Sequence, residues 1–375
     1  MRTSSSPPSP GATGPTRAGE ARRRPRNQRS KRRRHDRDTS RGRTEDAPTP
    51  DEKTIEGRRL PAGVGAAMTA DIAVCYGALR SGSTLLRLML DAHPALNCPG
   101  ESDYFLDHLI LDDGPLRYDW DAMRADRIFR ASGLERPGSL DGVEALHAMI
   151  EQIRRRGAGT PVLMLHRRFQ LVPRLLPQAR VLRLKRDPRD VARSNIGMGW
   201  AGNTYHGIDR WLATEADWEA GAPHLTAPPH EIRYEDLILA PEPTLADACA
   251  FLGLPFDSAM LSYSSRTSYA APDPSLVEQW RRKQTPDEVA LVEGRLGERL
   301  IRYGYAPSGR PPHVPGTVER CRLWIENKAH VWGHMARRYG LFTVAQRGLA
   351  RRLGLTRMAN AAQARIDAIT IRHLK

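Results

Sequence analysis

The stretch Cys75-Tyr76-Gly77-Ala78-Leu79-Arg80-Ser81-Gly82-Ser83-Thr84-Leu85-Leu86 constrains this chain more than any other. It follows Asp71-Ile72-Ala73-Val74, so Asp71 to Tyr76 reads as a buried strand ended by Gly77. From Ser83 to about Ala92, Leu85, Leu86, Leu88, Met89 and Leu90 give the wide apolar face of a helix. A glycine-flanked turn between strand and helix aims several backbone N–H groups at one place. The helix N-terminus adds partial positive charge there, so an anion such as phosphate is expected. Gly77 and Gly82 keep the five-residue separation of a Walker A loop, yet Ser83 stands where that loop needs a lysine. The cation sits inside the loop, at Arg80, which suits a single 5′-phosphate better than ATP with Mg²⁺. Alone, the same residues also read as a plain strand–helix turn.

The rest of the body alternates in the same way. Leu140 to Arg156 predicts a helix through Val143, Leu146, Ile150 and Ile153, stopped by Gly157. Pro161 to Leu165 and Arg180 to Leu184 are short apolar strands, and His230 to Tyr234 is another. Asp187-Pro188 opens a helix, because proline fits a first turn behind an aspartate cap. Helices are also expected over 244–252 and 286–303, the last through Val289, Val292, Leu296 and Leu300. Strand alternating with helix implies an α/β fold with a central, mainly parallel sheet flanked by helices.

Charge divides the chain. Residues 1–67 hold 17 Lys+Arg against 8 Asp+Glu, 306–375 hold 13 against 3, and 68–305 hold 28 against 32. The net charge of +15 therefore lives in the tails, and the mildly acidic body is no general nucleic-acid surface. Three segments follow: a disordered basic tail over 1–67, an α/β domain over 68–305 and a basic helical extension over 306–375. The first tail reads as a tether to a polyanion or membrane surface, as a solvated tail, or as sequence preceding a true start at Met68. In the extension, Val318, Cys321, Ile325, Trp332, Met335 and Tyr339 fall at helical spacing among basic residues. Such a helix packs back on the body, docks on a partner or lies on an anionic membrane. No window approaches a membrane span of about 18 apolar residues, and the Ser/Pro-rich start has no apolar signal core. The four cysteines are widely spread without a CxxC pair, which argues against a zinc ribbon or a disulfide framework. Only 6 of the 58 basic residues are lysine, the bias of a GC-rich coding sequence. The expected location is cytoplasmic, with peripheral membrane contact as a variant.

Three blocks together carry a resemblance. Arg80 to Pro94 followed by Cys98-Pro99-Gly100-Glu101 resembles the 5′-phosphosulfate loop, the LDAHP helix end and the GE motif of PAPS-dependent sulfotransferases. Within that family it looks most like the tyrosylprotein sulfotransferase branch and its bacterial relatives. Leu184-Lys185-Arg186-Asp187-Pro188 through Ser194 resembles the family's 3′-phosphate motif. Arg233-Tyr234-Glu235-Asp236-Leu237 with Pro241 and Phe251-Leu252-Gly253-Leu254 resembles its RYEDL…P…FLGL stretch, and the likeness spans roughly 71–305.

The resemblance implies a P-loop-like sulfotransferase fold with PAPS (3′-phosphoadenosine 5′-phosphosulfate) as sulfuryl donor and no metal. It implies that Arg80, Ser81, Gly82, Ser83, Thr84 and Leu85 hold the 5′ end, and that Arg186 and Ser194 hold the 3′-phosphate. Tyr234 would lie near the nucleotide, and Glu101 would be general base on the acceptor hydroxyl, with Arg80 also supporting transfer. Local readings stand beside these: a surface ion pair of Arg186 with Asp187 or Asp190, a core role for Tyr234, and a helix-start acid at Glu101. Arginine's planar fork at the end of a strand does favour a phosphate. Relatives carry a lysine-containing segment after the strand that ends here at Leu165; this chain has His166-Arg167-Arg168, with His166 or Arg167 as the substitute. Residues 262–283 correspond to a phosphate-closing loop.

The expected activity is sulfuryl transfer from PAPS to a hydroxyl on a small molecule, a glycolipid or a tyrosine. The rival readings are a kinase-like P-loop nucleotide binder and a non-catalytic nucleotide or polyanion binder.

Overall fold

The computed structural model describes residues 72–374 except 113, 266, 268 and 270, so the basic segment 1–67 lies outside the described residues. The apolar runs assemble into one sheet. Its centre is β1 (Ala73–Tyr76), which is followed by helix α1 (Ser83–Asp91) and the short edge strand β2 (Leu96–Asn97). A small insertion comes next: α2 (Tyr104–Asp107), the antiparallel pair β3 (Leu109–Ile110) and β4 (Arg117–Tyr118), α3 (Trp120–Ala125) and α4 (Arg127–Ser132). Asp119 and Asp126 cap α3 and α4 by accepting backbone N–H groups.

Helix α5 (Gly142–Arg156), capped by Asp141, leads to β5 (Thr160–Leu165), α6 (Val172–Leu175) and β6 (Arg180–Lys185). Then α7 (Pro188–Gly197) starts behind its Asp187 cap, with α8 (Thr204–Gly207) and α9 (Asp209–Gly221) after it. Strand β7 (His230–Arg233) completes the sheet in the order β2-β5-β1-β6-β7, every pairing parallel. The body ends with α10 (Tyr234–Leu239), α11 (Pro241–Phe251), α12 (Trp280–Lys283), α13 (Pro286–Leu296) and α14 (Arg299–Arg302).

The side-chain alternation of β1 divides the core. Ile72, Val74 and Tyr76 join one apolar cluster with Leu146, Met149 and Trp218 of α5 and α9. Ala73 and Cys75 join the other, with Leu86, Met89, Leu237 and Leu245 of α1, α10 and α11. Helices thus cover both faces of a parallel sheet, which explains why the central strands β1 and β5 are apolar on both sides. Cys75, Cys98 and Cys249 are buried free thiols, and Cys321 is an exposed one.

Several expected boundaries move for local reasons. Tyr234 does not end the strand; it opens α10. The helix expected over 286–303 is cut at Gly297, whose φ of +54° ends α13. The helix expected over 244–252 starts earlier, at Pro241, and Leu140 stays outside α5, which begins behind Asp141. The C-terminal stretch forms α15 (Thr317–Tyr339), α16 (Leu341–Arg352) and α17 (Thr356–Leu374), separated at Gly340 (φ +84°) and Gly354 (φ +69°). Gly202 N donates to Asn327 Oδ1 at 2.6 Å and Asn203 Nδ2 to Leu323 O at 2.8 Å, which ties α15 to the turn after α7.

Candidate active site

The sheet order changes direction at β1, with β5 on one side and β6 on the other. Their C-terminal ends open the crevice where parallel α/β sheets place ligands. The loop after β1 is built for close approach. A side chain on Gly77 would meet Leu184 O at 2.5 Å, so the loop lies directly on β6. Arg80 takes a left-handed φ of +73°, a conformation that arginine adopts at a cost. Gly82 follows at φ +94°, and a side chain there would strike the ring of Tyr234 at 2.3 Å. These turns aim the loop at the N-terminus of α1, where Gly82 offers no side-chain cap and the first turn carries no acid. The amides there keep their appetite for an outside anion. Ser81 Oγ is buried beside them without a hydrogen-bond partner.

Residues far apart in sequence close the side of the loop that faces α7. Arg80 Nε donates to Ser194 Oγ at 3.0 Å, and Arg186 Nη1 donates to Arg80 O at 2.9 Å. The Arg186 guanidinium carbon also lies over the Tyr234 ring, 4.1 Å from its centroid, and its Nη2 donates to Leu276 O at 3.1 Å. Its Nε is buried and unpartnered. Asp187 is not its partner: that carboxylate caps α7 and pairs with Arg189 at 2.7 Å. Asp190 lies 3.8 Å away, and its carboxyl, pushed up to about 6 mainly by burial, accepts from Trp280 N at 2.7 Å. The segment 274–283 therefore folds over Arg186, with Trp280 stacked on Arg189 at 3.7 Å. Tyr234 serves both readings, since it is buried in the core cluster and also floors the loop.

The other side of the loop holds Glu101 and a buried relay. Glu101 bridges to Met164 of β5, and its exposed carboxylate makes no hydrogen bond or ion pair among the described residues. Behind it, the Asp103 carboxylate holds His166 twice, accepting from its backbone N–H at 2.7 Å and lying 2.9 Å from Nδ1. His166 Nε2 then reaches Ser83 Oγ at 3.1 Å. Burial alone would depress the imidazolium, but the Asp103 charge, with a smaller push from Glu101, outweighs it and raises the His166 pKa. Burial likewise opposes ionisation of Asp103, and His166 more than compensates, so that carboxyl stays below its ordinary range. Arg167 donates to Asp107 at 2.6 Å and also lies 3.6 Å from the Asp103 carboxylate. Of the two substitutes for the family lysine, His166 is the one that touches the loop.

Thr84 is exposed at the start of α1, while the Leu85 side chain is core and only its amide faces the loop. Asp103 joins the site without a motif announcing it, whereas Asp190 lies in the 184–194 block and Trp280 in the 262–283 segment. Ser81 Oγ, Arg186 Nε and the uncapped α1 amides together fit a ligand with two separated phosphates. No group of three His, Cys, Asp or Glu residues among those described could hold a metal ion.

A parallel sheet with an uncapped anion loop at its crevice is the architecture of a protein that binds phosphate-bearing ligands. Residues 73–258 match the model of the sulfotransferase family. Human protein-tyrosine sulfotransferase 1 is 26% identical over 282 residues, covering 66% of this chain and 74% of that protein. Chicken protein-tyrosine sulfotransferase 2 is 25% identical over 268 residues, covering 63% and 70%. Among solved structures, the sulfotransferase domain of the Synechococcus PCC 7002 olefin synthase is similar at 21% identity and a TM-score of 0.44, covering 64% of this chain and 98% of that one. A mouse sulfotransferase complexed with PAP is similar at 14% identity and a TM-score of 0.38, covering 62% and 86%. Residues 73–258 therefore form a sulfotransferase-family domain.

Proposed function

We propose that this protein moves a sulfuryl group from PAPS to a hydroxyl acceptor, with Glu101 as general base. The observation that carries this reading is the convergence of Arg80, Arg186, Ser194 and Tyr234 on the uncapped α1 N-terminus. PAPS, when bound, would supply the sulfuryl group and leave as PAP, adenosine 3′,5′-bisphosphate.

The chain's own residues divide the remaining work. The amides of Ser81 to Leu85, with Arg80, Ser83 and Thr84, would hold the 5′ end and neutralise charge that builds there. Arg186 and Ser194 would take the 3′-phosphate, the buried Nε of Arg186 finding the partner it lacks. Tyr234 would lie beside the nucleotide and keep Arg186 flat through its ring. Glu101, exposed and unpaired among the described residues, would accept the acceptor's hydroxyl proton. His166, whose imidazolium the Asp103 carboxylate favours, would donate from Nε2 to Ser83 Oγ and so turn the Ser83 hydroxyl proton towards the 5′ end. Holding and electrostatics dominate transfers of this kind.

Calorimetry tests the reading directly, with PAP, 5′-AMP and ATP·Mg²⁺ compared on wild type and Arg186→Ala. Micromolar PAP binding that needs no Mg²⁺ and is lost in the variant is expected. Equal or tighter binding of ATP·Mg²⁺, indifferent to Arg186, would replace this reading with the kinase-like one. Transfer from labelled PAPS that survives Glu101→Ala would remove the general base.

A further inference from the structure

We infer that α15 and α16 form a docking face for an anionic lipid bilayer, on which the protein lies without crossing. Helix α15 carries two stripes. Leu323, Asn327, His330 and His334 recur at three- and four-residue spacing and face the body: Leu323 is buried, and His334 covers Gly199. Val318, Cys321, Ile325, Lys328 and Trp332 recur at the same spacing two residues out of phase. In a helix of 3.6 residues per turn that displacement puts them on the opposite side. They face solvent: Val318 is 87% exposed, Ile325 55% and Trp332 48%, with Trp324 beside them at 53%.

Helix α16 repeats the arrangement. Val344 and Ala350 are buried, as are Ala359, Ala362 and Ile366 of α17, while Phe342 and Leu349 of α16, and Leu353 just beyond its end, stay exposed. Scattered exposed apolar residues are ordinary, but two stripes of large ones on adjoining helices are not.

The charge around the stripes identifies the occupant. Residues 306–375 hold 13 Lys+Arg against 3 Asp+Glu, with Arg322, Lys328 and Arg352 exposed next to the apolar positions. A second copy of the same face would bring like charge against like, and the segment 1–67 is also basic, at 17 against 8. Nucleic acid would match the charge and leave Ile325, Phe342 and Leu349 in water. A bilayer with anionic headgroups satisfies both, taking the apolar side chains into the acyl boundary and seating tryptophans at headgroup depth. No described helix is long and apolar enough to cross a membrane, which fits a helix that lies in the interface. The body-facing stripe of α15 grips residues 199–203, directly after α7 and its Ser194. A docked face is thereby linked rigidly to the nucleotide side of the site.

The test uses the full chain in co-sedimentation with vesicles of phosphatidylcholine, with and without phosphatidylglycerol. Binding only to the phosphatidylglycerol vesicles, weakened by salt, is expected. The double variant Ile325→Asp/Phe342→Asp should lose about tenfold or more of that affinity, since two exposed apolar side chains no longer insert. PAP binding and far-UV circular dichroism should stay unchanged, because both side chains face solvent. No binding to anionic vesicles overturns the proposal. So does binding that the double variant retains in full, which would assign it to the basic N-terminal segment. A dimer that Ile325→Asp dissociates, with no vesicle binding, would give the face to a second copy instead.

Discussion

Arg80 Nε donates to Ser194 Oγ at 3.0 Å, joining the loop after β1 to α7 although 114 positions separate the two residues. The bond spans the crevice between the β1 loop and α7, the two halves of the candidate site, and Arg186 braces it by donating to the Arg80 carbonyl. If both residues serve one ligand, their effects on that ligand must be coupled. Arg80→Ala and Ser194→Ala should each weaken PAP binding, Arg80→Ala by about 1.5–3 kcal/mol as expected for a charged hydrogen bond. The double variant should depart from additivity by about 0.5 kcal/mol or more. Calorimetric titration of the four proteins measures the cycle; strict additivity would show that the two groups do not share the ligand.

Gly82 is predicted to tolerate no side chain. Its φ of +94° and the Tyr234 ring, which a Cβ would meet at 2.3 Å, are separate obstacles. Gly82→Ala should cost about 1–3 kcal/mol in chemical denaturation from the backbone conformation, and PAP binding should fall with it as the loop shifts. Adding Tyr234→Ala removes only the steric obstacle. The double variant should therefore be more stable than the sum of the two single losses, yet remain below wild type.

The Asp103–His166 pair makes a prediction with a defined sign. The His166 pKa is raised, so its stabilising share is fully present below the ordinary imidazole value of about 6.5 and is lost as pH rises through the folded value. The Asp103 pKa is lowered, so its share is present above the ordinary value of about 3.9 and is lost as pH falls through the folded value. Asp103→Asn should thus destabilise most between about pH 4 and 6.5. Breaking a buried pair costs about 3–5 kcal/mol, and the gap from wild type should narrow in alkaline melts. A gap that is constant from pH 5 to pH 10 would mean that His166 is neutral in the folded protein.

How far the sequence could be read follows the range of each contact. The β1 loop, the Asp187 cap and the apolar faces of α1 and α5 are written in adjacent residues, and local chemistry suffices to place them. The partners of Ser83 are not. His166 lies 83 residues from Ser83 and 63 from Asp103, which stands between them in sequence, and the parallel pairing of β1 with β5 brings them together. The same holds for Trp280 on Asp190, 90 residues apart. Tyr234 misled because a β-like aromatic at the end of an apolar run also suits a first helical turn, where Glu235 and Asp236 favour the helix N-terminus. Gly297 was visible as a glycine, but periodicity running through it concealed the break.

Glu101 carries the sharpest kinetic prediction. It sits at the C-terminal end of β5, its carboxylate unpaired among the described residues, and its only resolved electrostatic influence is on His166. An exposed side chain that holds nothing together should be removable without loss of fold. Glu101→Gln should therefore leave the melting temperature and PAP affinity near wild type. Losing a general base should lower kcat by about 10²–10⁴-fold for any hydroxyl acceptor. The loss should shrink for acceptors of low pKa, which ionise without help. A phenol and an aliphatic alcohol offered with labelled PAPS separate the cases. An equal loss for both would make Glu101 a residue that positions the acceptor, whereas no loss for either would place the base elsewhere.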